Sequence, residues 1–207
     1  MVNEWNLIKR HQQIRLYQRQ SPSGMFDVMA ITELNTRLNA FIWLLRDTNR
    51  GPEWIANAST IQLLARPEPN QDLVHSRFDA PWPIRSRDMV TLSTFSQDAE
   101  SLILTLDVKD AAESLPINEH WVRMKHVWAI WQLSPLASGL VEICYRGSAD
   151  PAGHIPLWLA NQLLLKGTFT TFVKLRQLLV ENQYQHKTLS GIQEPSVHLE
   201  TKISNNP

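Results

Sequence analysis

The chain predicts an α+β fold in which a curved antiparallel sheet of about eight or nine strands wraps around one long C-terminal helix. Three observations carry this. Residues 57–147 divide into strand-like segments at about 57–66, 71–79, 87–97, 100–110, 119–133 and 138–147. The separators RPEPN, APWPIR, QD, ESLPIN and PLASG are mostly short enough to join antiparallel neighbours. Two more strand-like stretches, IRLYQR and FDVMAITE, are parted by the turn-forming SPSG. Residues 154–182 then supply the longest helical pattern in the chain. A sheet this large curls under its own twist into a gripping surface, and the long helix is the natural filler of that grip.

Taken in order, NEWNLIKR at 3–10 reads as a short helix with Trp5 and Ile8 on one side, followed by the two strands at 14–19 and 26–33. In residues 36–47 the period changes: Leu38, Phe41, Ile42 and Leu45 recur at helical spacing after a cap candidate at Asn35 or Thr36. Gly51-Pro52 stops that helix, and Trp54 belongs to one further short turn. In TLSTFS, LILTLDV and VRMKHVWAIW the alternation is partial, as in a sheet with one covered face and one wetter one. Pro156 suits a first helical turn, where its missing N–H costs nothing. At 100° per residue the first half of this last helix is apolar over most of its circumference, which predicts cover on more than one side. Residues 183–207 lose periodicity and read as a flexible tail.

Lys plus Arg and Asp plus Glu both total 20 in 207 residues, so the formal charge is zero and no net field draws the chain to nucleic acid. Cys144 is the single cysteine, which rules out an intrachain disulfide; in LVEICYR it reads as a small packed residue. No apolar run approaches the ~18 residues of a spanning helix, and the N-terminal stretch has no apolar core of the signal-peptide kind. A cytoplasmic location is expected if Met1 is the native start, and a periplasmic or secreted one if a signal peptide was removed.

The motifs of chemistry are missing. There is no H-E-x-x-H and no Cys pair for a metal, no G-x-S-x-G elbow, and no Gly-rich phosphate cradle. His120 and His126 are the closest histidines within a strand. What remains is apolar capacity: Met124, Trp128 and Ile130 on one predicted strand face, and Trp158, Leu159, Leu163, Phe169 and Phe172 along the long helix. Such residues make either an ordinary core or a pocket walled by large, adaptable side chains.

Specific strings resolve this choice. W-N-L and I-R-L-Y-Q-R near the start, then Trp54, PWPIRSRDMV, WVRMKHVWAIWQLSP and ADPAGHIPLWLANQLL, occur in the order and at the separation seen in the START family, the steroidogenic acute regulatory protein-related lipid-transfer domains. The chain resembles that family over about residues 3–182. The resemblance implies a helix-grip fold around a tunnel for one lipid or sterol-like ligand, transient contact with a membrane surface, no cofactor and no catalytic residues. An enzyme on the same scaffold, a hydrolase or cyclase, and an interaction module with a filled core are the alternatives.

By position, DAPWPIRSR resembles the loop covering the tunnel mouth, with Trp82 at its tip. Arg87 and Asp88 match an R-D pair, either a fixed ion pair or a contact to a ligand head group, with Arg123 as the candidate partner of Asp88. Asp150 and Gly153 are expected to shape the turn into the last helix. Alternation from Met89 places Met89, Thr91, Ser93 and Phe95 on one face, taken as the tunnel face.

Overall fold

The computed structural model describes residues 4–21, 24–80, 82 and 84–196. Its first strands are β1 (Asn6–His11), β2 (Ile14–Gln20) and β3 (Phe26–Leu34), followed by α1 (Leu38–Arg46) and α2 (Gly51–Trp54). Seven strands follow: β4 (Ala58–Ala65), β5 (Gln71–Phe78), β6 (Arg87–Gln97), β7 (Leu104–Asp110), β8 (Val122–Arg123), β9 (Lys125–Pro135) and β10 (Val141–Asp150). The long helix α3 (Leu157–Leu179) and a single turn, α4 (Asn182–Gln185), complete it.

Ten strands form one sheet in the order β1-β2-β3-β10-β9-β7-β6-β5-β4, with the two-residue β8 added in parallel to the start of β6. Every other pairing is antiparallel. The chain crosses from β3 to β4, at opposite ends of that order from β3 outward, through α1 and α2. Those helices therefore share the concave side with α3. One apolar core joins Ile14, Leu16, Val28 and Ala30 to Phe95, Leu104, Leu106, Trp131, Leu133 and Ile143, and to Phe41, Phe172 and Leu175 from the helices. The fold is the helix grip that the strand and helix order implied.

Residues 6–11 correct the expected N-terminal helix. Gln12 and Gln13 both have positive φ, 51° and 61°, which makes a tight two-residue hairpin turn whose twist matches the flanking strands. His11 pairs with Ile14, and β1 becomes the exposed edge of the sheet. The usual signature of this turn is Asn-Gly or Asp-Gly, and Gln-Gln hides it.

The segment expected as a flexible tail is also corrected, as far as residue 196; residues 197–207 lie outside the described residues. Tyr184 and Ile192 are buried, and the Tyr184 hydroxyl donates to Asp47 Oδ2 at 2.8 Å. The Glu194 carboxylate accepts the backbone N–H groups of Leu38 at 3.0 Å and Asn39 at 2.8 Å. It caps α1, whose N-cap residue Arg37 makes no side-chain cap, so neither Asn35 nor Thr36 serves. A carboxylate on the first N–H groups of a helix satisfies orphan donors and complements the helix dipole.

In α3 the buried positions Asn161, Thr168, Phe172, Leu175 and Leu179 make one stripe, each near a whole number of helical turns from the last. The expectation that the first half is covered on several sides does not hold. Leu157, Trp158 and Leu163 are exposed.

Candidate functional site

Register decides what each strand offers to α3. Phe95 pairs with Leu106, Leu106 with Trp131, and Trp131 with Tyr145, and these residues share the concave face with core members from every strand between β6 and β3. Alternation along the unbroken β6 puts Met89, Thr91 and Ser93 on that face with Phe95. Thr91 and Phe95 are buried, Met89 and Ser93 half-buried.

The centre of the concave face is aromatic. The Trp131 ring stacks on Phe172 of α3 at 5.6 Å between centroids, 5° from parallel. It also meets Tyr145 at 4.6 Å and Phe41 at 5.2 Å. The Tyr145 hydroxyl stands over Gly147, two residues along β10: a Cβ at 147 would lie 2.5 Å from that oxygen and 2.9 Å from the Trp128 carbonyl oxygen. Glycine is required there by close approach. Burial pushes the phenol up to about 12. Among the described residues it has no hydrogen-bond partner, although the side chain keeps accessible surface.

The end of the sheet where α3 begins is fastened by backbone carbonyls. Arg87, buried at the start of β6, donates through Nε to Pro151 O and through a terminal nitrogen to Ala152 O, both at 3.4 Å, and through the other to Arg85 O. Desolvation, with the nearby Arg85 charge, lowers its pKa from the ordinary guanidinium value. The guanidinium therefore ties the loop before β6 to the turn before α3. In that turn Asp150 Oδ1 accepts the Ala152 N–H at 2.8 Å, and Ala152 and Gly153 take positive φ of 51° and 69°. Asn161 fixes the start of α3 to the β2–β3 connection, accepting from Phe26 N at 2.8 Å and donating to Gly24 O at 3.2 Å. Trp82 is 93% exposed at the loop tip; the flanking Pro81 and Pro83 lie outside the described residues.

Three expected ligand contacts are corrected by register. Asp88 pairs directly with Arg77 of β5 and with Arg123 of β8, on the face opposite to Met89. There Arg123 grips the carboxylate with two bonds, Nε to Oδ1 at 3.0 Å and a terminal nitrogen to Oδ2 at 2.9 Å. His75 Nε2–H donates to Oδ2 at 2.9 Å. Burial alone would raise the Asp88 carboxyl, but the Arg123 and His75 hydrogen bonds outweigh it and hold the group below its ordinary value. Arg123 also donates to the carbonyls of Ala112 and Leu115 at 2.7 and 3.1 Å. Asp88 and Arg123 are thus a buried ion pair of the outer face, not a head-group contact inside the grip.

Trp128 is the third. It pairs with Lys109 and Ser148 on the outer face, because alternation fixed by Trp131 puts it there. The expected strand 119–133 is interrupted at Met124, and His126 has φ of 51°, so Met124, half-buried, does not continue the Trp128 row. On α3, Leu163 lies on the side away from the buried stripe and Trp158 is 68% exposed. Leu159 is half-buried. Phe169 packs at the margin of the core beneath Lys9, whose Nζ is 3.6 Å from the ring centroid.

The groups that sequence reasoning missed are Trp131, Tyr145, Gly147 and Asn161. Alternation in VEICYRG held a signal for Tyr145 and Gly147, since both follow Ile143 at even spacing.

No helix of the described residues is long and apolar enough to cross a membrane. Comparison with known proteins is consistent across sequence and structure. The START domain family model matches residues 3–185. An uncharacterized protein of Pseudomonas aeruginosa is 24% identical over 177 residues, covering 85% of this chain and 87% of that one. The crystal structure of a STAR-related lipid transfer protein fragment from Xanthomonas axonopodis superposes with a TM-score of 0.78 at 28% identity, over 86% of this chain and 99% of that one. Human STARD10 superposes at 0.75 with 16% identity, over 86% of this chain and 74% of that one. With a family match that runs from the first strand to α4, and the fold that goes with it, the chain belongs to the START domain family.

Proposed function

We propose that the protein binds one lipid or sterol-like molecule between the concave face and α3 and exchanges it at a membrane surface. Membership of the START family and the likeness to a bacterial STAR-related lipid transfer protein support a lipid-binding role. The observation that carries the finer reading is Tyr145. Its hydroxyl lies deep among Trp131, Phe172 and Gly147, has no protein partner among the described residues, and still keeps accessible surface. A phenol hydroxyl with accessible surface and no protein partner is free to bond a ligand's polar group. Met89, Ser93 and Val108 of the same face are half-buried too, so one apolar molecule with a single polar group meets both needs.

Binding of that kind is driven by apolar burial, at about 25 cal/mol per Å². Trp82 at the loop tip and Trp158 on the first turn of α3 are the large exposed side chains suited to an interface, where an aromatic ring meets water and lipid together. The concave face offers Tyr145, Thr91 and Ser93 as polar groups, which position a ligand rather than transfer protons, and binding without turnover is the reading they favour. The test is native mass spectrometry of protein purified from its own cells, with lipid extraction. One co-purifying hydrophobic molecule per chain, displaced in Ser93→Trp, is the expected result. A protein recovered with no such molecule, and taking up none from mixed-lipid vesicles, would sink the proposal.

A further inference from the structure

On the outer face, away from the grip, β4, β5, β6 and the 115–123 segment form an open pocket of about 650 Å³. Its floor holds His75, Arg77, Asp88 and Arg123; its sides are Gln62, Leu64, Leu115, Ile117, Glu119 and Trp121 among others. That volume is in the range of small-molecule sites.

The charges in it do not balance locally. Asp88 spends both oxygens on Arg123 and His75. Arg77 stands directly opposite Asp88 in the register, yet no carboxylate of the described residues lies within ion-pair distance of it. Its Nε is buried without any hydrogen-bond partner. What holds the guanidinium is the Trp121 ring, 4.4 Å below it. A guanidinium held over an aromatic face keeps its outer N–H donors available, and the two terminal nitrogens, which unlike Nε are not buried, can meet a carboxylate in two parallel bonds.

We propose that this pocket is a second ligand site, and that it takes an amphipathic monocarboxylate: the carboxylate on the Arg77 fork, the apolar body along Leu64, Leu115 and Ile117. One unpaired cation calls for one negative charge. No lysine lines the pocket and Glu119 is part of its wall, so a phosphate carrying a second charge is disfavoured. Ile117, 73% exposed, leaves an apolar surface at the rim that an acyl chain would cover. The site is independent of the ligand within the grip, since the sheet lies between them.

The test uses octanoate, with 1-octanol as the uncharged control, and the indole N–H resonance of Trp121 in the ¹⁵N spectrum, assigned by its loss in Trp121→Phe. Octanoate is expected to shift that resonance saturably and octanol to leave it nearly still. Arg77→Gln is expected to weaken the response about tenfold or more, and Arg77→Lys, which keeps charge but not the planar fork, less severely. Thr60 pairs with Arg77 on the exposed neighbouring strand β4. Thr60→Asp therefore offers an internal carboxylate and is expected to compete octanoate away without removing any pocket residue. No octanoate shift, an equal shift with octanol, or undiminished shifts in Arg77→Gln and Thr60→Asp would each overturn the site.

Discussion

Two polar groups on opposite faces of the sheet, Asp88 and the Tyr145 hydroxyl, are satisfied in opposite ways. On the outer face Asp88 lies among three hydrogen bonds from Arg123 and His75, while on the inner face the Tyr145 hydroxyl has none among the described residues. Asp88 and Met89 are sequence neighbours, so the division falls between adjacent side chains of one strand. A buried charge that is fully paired specifies architecture: it joins β5, β6 and β8 and holds the 112–115 carbonyls in place. A hydroxyl with no protein bond contributes nothing of that kind to architecture, and is free for a partner from outside the chain. The R-D pair therefore divides by face, Arg87 tying the loop before β6 to the turn before α3 and Asp88 bracing the back of the sheet.

Removing Arg123 is expected to cost the most stability. Arg123→Met strands the Asp88 carboxylate in a buried site, and loss of one partner of such a pair costs about 3–5 kcal/mol. Urea denaturation is expected to show that loss, and a midpoint unchanged from the parent would mean that the outer cluster does not specify the fold. The same pair sets an acid dependence. Because the folded Asp88 carboxyl sits below its ordinary value, its contribution is complete above the unfolded value of about 3.9. It is lost as pH falls through the lower folded value. Melting temperatures of the parent and Asp88→Asn are thus expected to differ at neutral pH and to converge as pH falls below about 4; a gap that stays constant down to pH 2 would contradict the linkage.

What the sequence disclosed follows from how local each signal is. The β6 face was legible because Arg87–Gln97 alternates without a bulge, and Pro156 and Gly153 marked the entrance to α3 by backbone preferences that need no partner. The β1–β2 hairpin was hidden because its turn uses Gln-Gln in a conformation that glycine and asparagine usually announce. Trp128 was misplaced because one positive-φ residue, His126, interrupts the counting between Met124 and the rest of β9. The docked segment through residue 196 was invisible for a different reason. Glu194 acts on N–H groups more than 150 residues earlier, and no periodicity marks a cap supplied across the fold. Within the site the limitation is the same: Tyr145 takes its meaning from Trp131, Phe172 and Gly147, which three elements bring together only after folding.

On the inner face, Gly147→Ala crowds the Tyr145 phenol. A methyl group 2.9 Å from the Trp128 carbonyl oxygen and 2.5 Å from the phenol oxygen forces one or both to move. Overpacking of this kind costs about 1–3 kcal/mol, seen as a lower melting temperature, and the displaced phenol is expected to weaken lipid uptake as well. Tyr145→Phe asks the narrower question. The hydroxyl has no protein bond to lose, so stability should hold or rise slightly, whereas ligand affinity should fall by about 0.5–1.5 kcal/mol, the worth of one hydrogen bond. A variant clearly less stable than the parent would reveal a protein partner for the hydroxyl and remove the contrast with Asp88.

The smallest thermodynamic effect belongs to a residue outside both clusters. Trp82 is 93% exposed, and its truncation should change the unfolding free energy by no more than about 0.5 kcal/mol, as for surface positions in general. If the loop tip meets the membrane, Trp82→Ala should nevertheless slow liposome-to-liposome transfer several-fold while leaving the amount of ligand bound at equilibrium unchanged. That combination separates the gate from the grip. Under the proposed function, Tyr145 and Gly147 act on how tightly the ligand is held, and Trp82 on how often it leaves at a surface. Transfer at the parent rate in Trp82→Ala would mean that exchange proceeds through another part of the mouth, with the exposed Trp158 at the start of α3 the next side chain to truncate.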